Sequence, residues 1–285
     1  MTAIEITYKE IRELFLKKRK RDAQKGDYGR VLIVAGSKGM AGAAILCARG
    51  ALRAGAGLVT LFVPFDLIPI VQAAVPGATC LKKDPTPDEL GIYDAIAIGP
   101  GLGTGRGAKN AVSYILMNYG GKLVMDADAL NLIAGTNTKL DEDTVITPHP
   151  GEAARLLGTS TEVIQTRREA AAAFLAEKLG CVAVLKGAGT LVSTIDPGLR
   201  LYINTTGNPG MATGGSGDVL TGVITSLLAQ GMSPLNAARA GVYVHGLAGD
   251  MMAKEIGENG LTAEDLPEGV ARALKHLSAE ILPPK

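Results

Sequence analysis

The chain has 285 residues, of which 47% are hydrophobic, 37 are glycine and none is tryptophan. That length and apolar content can bury a large core and argue against disorder. Lysine and arginine (29) balance aspartate and glutamate (28), which does not suit a general nucleic-acid coat, and aromatics at 4% are too few for base-stacking platforms or a membrane-interface belt. Cys47, Cys80 and Cys181 are far apart and lie in apolar runs. They form neither a disulfide framework nor a zinc pattern and read as core residues in a reducing cytosol. The acidic N-terminus is no signal peptide, and no run reads as a membrane span. A cytoplasmic protein is expected.

Thr7 and Glu10 have capping-box spacing ahead of the apolar positions Ile11, Leu14 and Phe15, which predicts a first helix. The basic run Lys17–Arg21 reads as its solvated end, with an acidic-ligand site as the other reading. Short apolar strands then alternate with helices. The expected strands are Val31–Ala35, Leu58–Val63, Ala95–Ile98, Leu123–Met125, Val145–Thr147 and Val182–Leu185. The expected helices are Ala43–Ala54, Gly107–Asn118, Ala129–Ala134, Gly151–Leu157 and Glu162–Leu179. Alternation of this kind gives βαβ units, hence an α/β fold with a mostly parallel sheet covered on both faces. Leu191–Ser193 and Leu199–Ile203, joined by Asp196-Pro197-Gly198, read as a hairpin at the sheet edge. Two helices follow, Asp218–Gln230 and Ser233–Glu255, the second with Ser233 as N-cap and Pro234 at its first position. No repeat or linker interrupts the pattern, so residues 1–285 are expected to form one domain.

In such a sheet, ligands bind where strands end and helices begin. Four glycine-rich segments fall at or near those junctions: residues 36–42, 99–107, 186–190 and 207–218. There is no Walker A motif, no full dinucleotide fingerprint, no HExxH, no CxxC and no GxSxG elbow. The most informative segment is Gly214-Gly215-Ser216-Gly217-Asp218 at the start of an apolar helix. Consecutive small residues there let backbone N–H groups converge on an anion, aided by the helix dipole. An aspartate in the same turn would repel phosphate as a ligand. It suits a base that takes the proton of a hydroxyl whose oxygen attacks phosphorus.

The GGSGD helix start resembles the anion hole and base of ribokinase-like small-molecule kinases. The longer string Asn208–Gly222 is similar to the ADP/ATP-dependent NAD(P)H-hydrate dehydratases of that superfamily. Matches at Lys25–Gly29, Gly36–Ala44, Gly99–Gly103, Asp126–Asn131, Thr147–Glu152 and Leu185–Thr190 extend the resemblance from about residue 25 to 250. It implies a three-layer ribokinase-like fold and a repair reaction. The S epimer of hydrated NADH or NADPH (NADHX, NADPHX) is phosphorylated on its ring hydroxyl from ADP, or ATP in some members, with Mg²⁺. Phosphate then leaves and NAD(P)H is restored.

Carried over, Asp218 is the base that contacts the substrate, and Gly215, Ser216 and Gly217 cradle the phosphoryl group. Lys186, Gly187, Ala188, Gly189 and Thr190, with Gly217, bind the nucleotide. Ala43, Gly101, Gly103 and His149 bind the hydrate. Glu152 and Asp126 are metal candidates without an assignment, and Asp126 and Asp128 read equally well as helix caps. Lys186 reads alternatively as a strand-end cap, His245 as a packed residue and His276 as a surface one. The first glycine loop begins 35 residues into the chain, which leaves no room for the epimerase domain fused to many relatives. A separate epimerase is therefore an expected pathway partner, and the family implies a homotetramer. A ribokinase-like kinase of a small alcohol, such as a hydroxyethylthiazole-type vitamin precursor, is the alternative.

Overall fold

The computed structural model describes residues 2–15, 20–195 and 200–279. Lys17, Lys18 and Arg19 of the basic run and the Asp196-Pro197-Gly198 turn lie outside the described residues. Ten strands form one sheet. They are β1 (Ile4–Glu5), β2 (Arg30–Val34), β3 (Leu58–Phe62), β4 (Thr79–Cys80), β5 (Ala95–Ile98), β6 (Lys122–Met125), β7 (Thr144–Ile146), β8 (Val182–Leu185), β9 (Thr190–Ser193) and β10 (Leu201–Asn204). Their spatial order is β1-β10-β9-β8-β7-β6-β5-β2-β3-β4. Every pairing is parallel except the two that β9 makes with β8 and β10. The chain runs outward from β2 to β4, returns to β5 on the other side of β2, and continues the opposite way. The boundary between β2 and β5 is thus a topological switch point, where an open α/β sheet leaves a crevice at its carboxyl ends.

Alternation along each strand divides the core in two. In β2, Val31 and Ile33 join the apolar cluster on one face, and Leu32 and Val34 join the other. The first face packs Ala41–Arg53, Ser216–Ala229, Pro234–Ile256 and Leu266–Ser278; the second packs Arg106–Asn118, Asp128–Ile133, Pro150–Leu157 and Arg168–Leu179. The result is the three-layer α/β arrangement expected. Helices Ala41–Arg53 and Ser216–Ala229 touch backbone to backbone, because a Cβ on Gly222 would collide with the Cys47 carbonyl. This contact fixes the helix that begins with the GGSGD segment. Among the described residues, no helix is long and apolar enough to cross a membrane.

The predicted elements shift by one or two residues, with three differences. The expected helix Glu162–Leu179 is two, Thr161–Thr166 and Arg168–Leu179, broken at Arg167 with φ −133° and ψ 43°. The hairpin β9–β10 does not end the sheet, because β1 pairs with β10. Neither Asp126 nor Asp128 caps the following helix through its side chain; the N-cap position is Ala127. The Thr7–Glu10 capping box and the Ser233 cap form as expected.

Candidate functional site

The carboxyl ends of β6, β7 and β8 and the start of Ser216–Ala229 meet around one buried carboxylate. Asp126, directly after β6, is 1% exposed, so it needs partners on both oxygens. Lys186 Nζ donates to Oδ1 at 2.6 Å and Thr221 Oγ1 donates to Oδ2 at 2.7 Å. Lys186 follows β8, and Thr221 lies in the second turn of the GGSGD helix. A second carboxylate, Glu152, approaches Lys186 at 3.9 Å. Burial pulls the Lys186 ammonium down, but Asp126 and Glu152 outweigh it and the pKa ends raised. The lysine is therefore charged throughout the neutral range.

Ala127 has φ 49°, the one positive φ outside glycine among the described residues. Its ψ of −118° lies outside the ordinary left-handed well. The twist separates its neighbours. Asp126 turns to Lys186, while Asp128 accepts the N–H of Gly103 at 2.7 Å. The loop Gly99–Gly103, of sequence GPGLG, is thereby tied to the end of β6. Ser37 Oγ, after β2, donates to the carbonyl of Gly101 at 2.8 Å. A Cβ on Gly101 would lie 2.8 Å from that of Ala43. Ala43, Gly101 and Gly103 thus form one wall beside the carboxylate cluster.

At the helix start, Gly215 takes φ 95°, a conformation that favours glycine. The N–H of Gly217 has no acceptor among the described residues, as expected for an open first helical turn. A Cβ built on Gly217 would lie 3.3 Å from Lys186 Nζ, so the ammonium faces the turn. Asp218 follows at once. Burial first, then the charge of Asp126, pushes its pKa up to about 7 against the pull of Lys186. His245, in the helix Pro234–Ile256, reaches up from below. Its Nε2 lies 2.9 Å from the Ser216 carbonyl oxygen and 3.4 Å from Ser216 Oγ. Burial lowers its pKa to about 4, so it is neutral and donates through Nε2. It is packed, as the sequence suggests, and it also braces the GGSGD turn.

His149 caps Pro150–Leu157. Its Nδ1 accepts the N–H of Gly151 at 3.0 Å, and its Nε2 lies 3.3 Å from Glu152 Oε1. The Glu152 Oε2 accepts the His149 N–H at 2.7 Å. Burial, then Lys186, lowers the imidazole pKa, consistent with a neutral ring that donates from Nε2. Burial raises the Glu152 carboxyl against the pull of Lys186. His276 is exposed, its ring tilted against that of Tyr8 with centroids 5.5 Å apart.

A cavity of about 680 Å³ opens beside this cluster, between His149, the Lys186–Thr190 stretch, the loop around Asn208, and Gly217. It does not reach Ala43, Gly101 or Gly103, which lie across the GGSGD turn. Three residues not singled out from the sequence hold its walls. Thr221 holds Asp126. Arg168 donates to the carbonyls of Lys186 and Gly189 at 3.3 and 3.2 Å. Asp250 accepts the Gly207 N–H and the Asn208 side-chain amide at 2.9 and 3.0 Å. Asp126 and Glu152 are already engaged, and no group of three or more His, Cys, Asp or Glu among the described residues is arranged to hold a metal ion.

A family model described as NAD(P)H-hydrate dehydratase matches residues 31–272. The chain is 46% identical over 254 residues to a bifunctional NAD(P)H-hydrate repair enzyme of Coxiella burnetii, which covers 88% of this chain and 51% of that protein. It is 40% identical to an ADP-dependent (S)-NAD(P)H-hydrate dehydratase of Neisseria meningitidis, over 85% of this chain and 83% of that one. A crystal structure of an ADP/ATP-dependent NAD(P)H-hydrate dehydratase from Bacillus subtilis, co-crystallised with ATP and Mg²⁺, superposes with a TM-score of 0.85 at 31% identity and covers 97% of this chain and 99% of that one. The chain spans about half the length of the bifunctional relatives it matches. With the match covering most of the chain and the GGSGD turn, its buried lysine and its perturbed aspartate in place, the chain belongs to the NAD(P)H-hydrate dehydratase family.

Proposed function

We propose that this protein dehydrates the S epimer of NADHX and NADPHX to NAD(P)H, with ADP as phosphoryl donor and AMP and phosphate as products. The observation that carries the reading is Asp218. It is a carboxylate pushed up to about 7, next to an open backbone amide and a charged lysine. A base with a pKa near the working pH is the most effective one.

In this reading Asp218 takes the proton of the ring hydroxyl. The freed oxygen bonds to the terminal phosphorus of the donor as the bond to AMP breaks. The amides of Gly215, Ser216 and Gly217 and the Lys186 ammonium stabilise charge on the phosphoryl oxygens. Hydroxide is a poor leaving group and phosphate a good one. The ring nitrogen's electron pair expels phosphate, and loss of a proton from the adjacent ring carbon restores the double bond. Lys186–Thr190 hold the nucleotide in the larger cavity. Ala43, Gly101 and Gly103 hold the hydrate on the opposite side of the turn. His149, on the wall of the larger cavity next to Lys186, meets the reacting end of the hydrate with its ring where the two ligands come together, since both its nitrogens are engaged within the chain.

Mg²⁺ fits as a companion of the donor's phosphates, because it commonly binds substrate phosphates and water with few protein ligands; bound there, it neutralises phosphate charge. Asp126 and Glu152 then act by placing Lys186. One domain over residues 1–285, a cytoplasmic homotetramer and an NAD(P)HX epimerase activity as pathway partner belong to the same reading and rest on the family.

The test is incubation of purified protein with mixed hydrate epimers, Mg²⁺ and either ADP or ATP. Recovery of reduced-nicotinamide absorbance with release of inorganic phosphate is expected. Accumulation of a phosphate ester would instead indicate a kinase, and no turnover with any hydrate would overturn the reading.

A further inference from the structure

Arg168 is the first residue of its helix, where the helix dipole disfavours a positive charge. It is half-buried, and no carboxylate pairs with it among the described residues; burial lowers its pKa with no anion to offset it. Carbonyl oxygens satisfy its guanidinium instead. Nη1 donates to the Lys186 carbonyl at 3.3 Å and to Gln165 Oε1 at 3.2 Å. Nη2 donates to the carbonyls of Leu185 and Gly189 at 3.4 and 3.2 Å. One planar fork thus gathers three carbonyls of the β8 end and the following loop to one side. A cation with two unfavourable features, bonded in this way, points to a task in the loop rather than in its own helix.

In a trans peptide the carbonyl and the next N–H point in opposite directions. The Leu185 carbonyl meets Arg168, and the Lys186 N–H donates the other way, to the Pro148 carbonyl at 2.9 Å. The Lys186 carbonyl also meets Arg168, so the Gly187 N–H faces away from the guanidinium. The N–H groups of Gly187, Ala188 and Gly189 have no acceptor among the described residues. All three residues line the cavity of about 680 Å³, and Arg168 does not. The guanidinium therefore sits behind the loop. It holds the negative carbonyl ends back and leaves successive amides open, a backbone arrangement suited to an anion. Gly187 permits the close approach: its φ is 134°, and a Cβ there would lie 2.9 Å from Arg168 Nη1.

We propose that Arg168 is a positioning residue for the donor nucleotide: without touching it, Arg168 sets the loop Gly187–Gly189 so that the open amides meet the donor's phosphates. The assignment rests on the placement of the donor at Lys186–Thr190 in the dehydratase reading.

The measurement is calorimetric titration of ADP with Mg²⁺ into purified protein, with a melting temperature for each variant. Arg168→Met should raise the Kd for ADP about tenfold or more, as loss of charged hydrogen bonds does. Arg168→Lys keeps the charge without the fork and should still weaken ADP several-fold; it carries the test if the methionine variant does not fold. A lowered melting temperature with unchanged ADP affinity would make Arg168 a structural residue only and overturn the proposal. In the turnover assay KM for ADP should rise while KM for the hydrate stays near wild type. An equal rise in both would mark a general loosening and also overturn it. Lys186→Met locates such a failure. If it weakens ADP where Arg168→Met does not, the fault lies with Arg168; if neither does, the donor binds elsewhere. ADP affinity that depends on Arg168, in a protein that turns over no hydrate, would uphold the positioning role and remove the dehydratase reading.

Discussion

Lys186 Nζ and Asp126 Oδ1 lie 2.6 Å apart, and the lysine of this pair also faces the Cα of Gly217. One ammonium therefore satisfies a buried carboxylate and presents charge to the phosphoryl site. Lys186→Met should remove both functions. Breaking a buried pair from one side typically costs ~3–5 kcal/mol, which urea unfolding would measure. Lys186 also holds the Asp218 pKa down, so its loss should move the rising limb of kcat/KM against pH above about 7. A limb that stays in place would mean that the ammonium does not act on the base.

Asp218→Asn keeps the shape of the turn and removes the proton acceptor. Turnover should fall ~10²–10⁴-fold, the usual worth of a general base, with ADP affinity little changed. In wild-type protein the base must be deprotonated, so kcat/KM should rise with pH through about 7. The variant should lose that limb. Activity within a few-fold of wild type would remove Asp218 from the reaction.

Most of the sheet is legible in the sequence, because strands covered on both faces are unbroken apolar runs. β1 and β4 are not, since two residues carry no periodicity. The break at Arg167 is also hidden. The helical pattern continues through it, and its use is tertiary: Arg168 turns to the carbonyls after β8. The same division runs through the site. The glycine loops and Asp218 are local motifs, readable at fixed spacing. Thr221 meets Asp126 from 95 residues away, and Asp250 meets Gly207 from 43. Neither has a local signature.

His245 offers a test in acid. Its pKa falls from an ordinary 6.5 to about 4 on folding. Below 6.5 the unfolded chain takes up the proton, while the folded chain does so only near 4. The stability contributed by the neutral ring is therefore complete above about pH 6.5 and is lost progressively as pH falls to about 4. His245→Gln should flatten that slope in urea titrations across this window. At neutral pH it should lower stability by ~1–3 kcal/mol through the disturbed bond to Ser216. An unchanged slope would mean that another group sets the acid limit.

His149→Ala should raise the apparent KM for the hydrate several-fold, with a smaller change for ADP. Removing the cap on Gly151 should also cost ~0.5–2 kcal/mol of stability. His149→Asn, which can still cap, should recover the stability and leave the KM effect. A rise confined to the KM for ADP would place the two ligands the other way round.

The twisted backbone at Ala127 sets stability against activity. A non-glycine residue held in so sparse a region costs ~1–3 kcal/mol, whereas glycine at the same place costs ~0.4–1 kcal/mol through the freer unfolded chain. Ala127→Gly should therefore leave the protein as stable as before or slightly more so, while letting the peptide relax and the two aspartates drift from Lys186 and Gly103. A rise in melting temperature together with a fall in kcat would mark this residue as a place where selection for turnover has kept a less comfortable fold. Directed evolution for heat resistance alone should then find position 127 early, and lose catalysis there first.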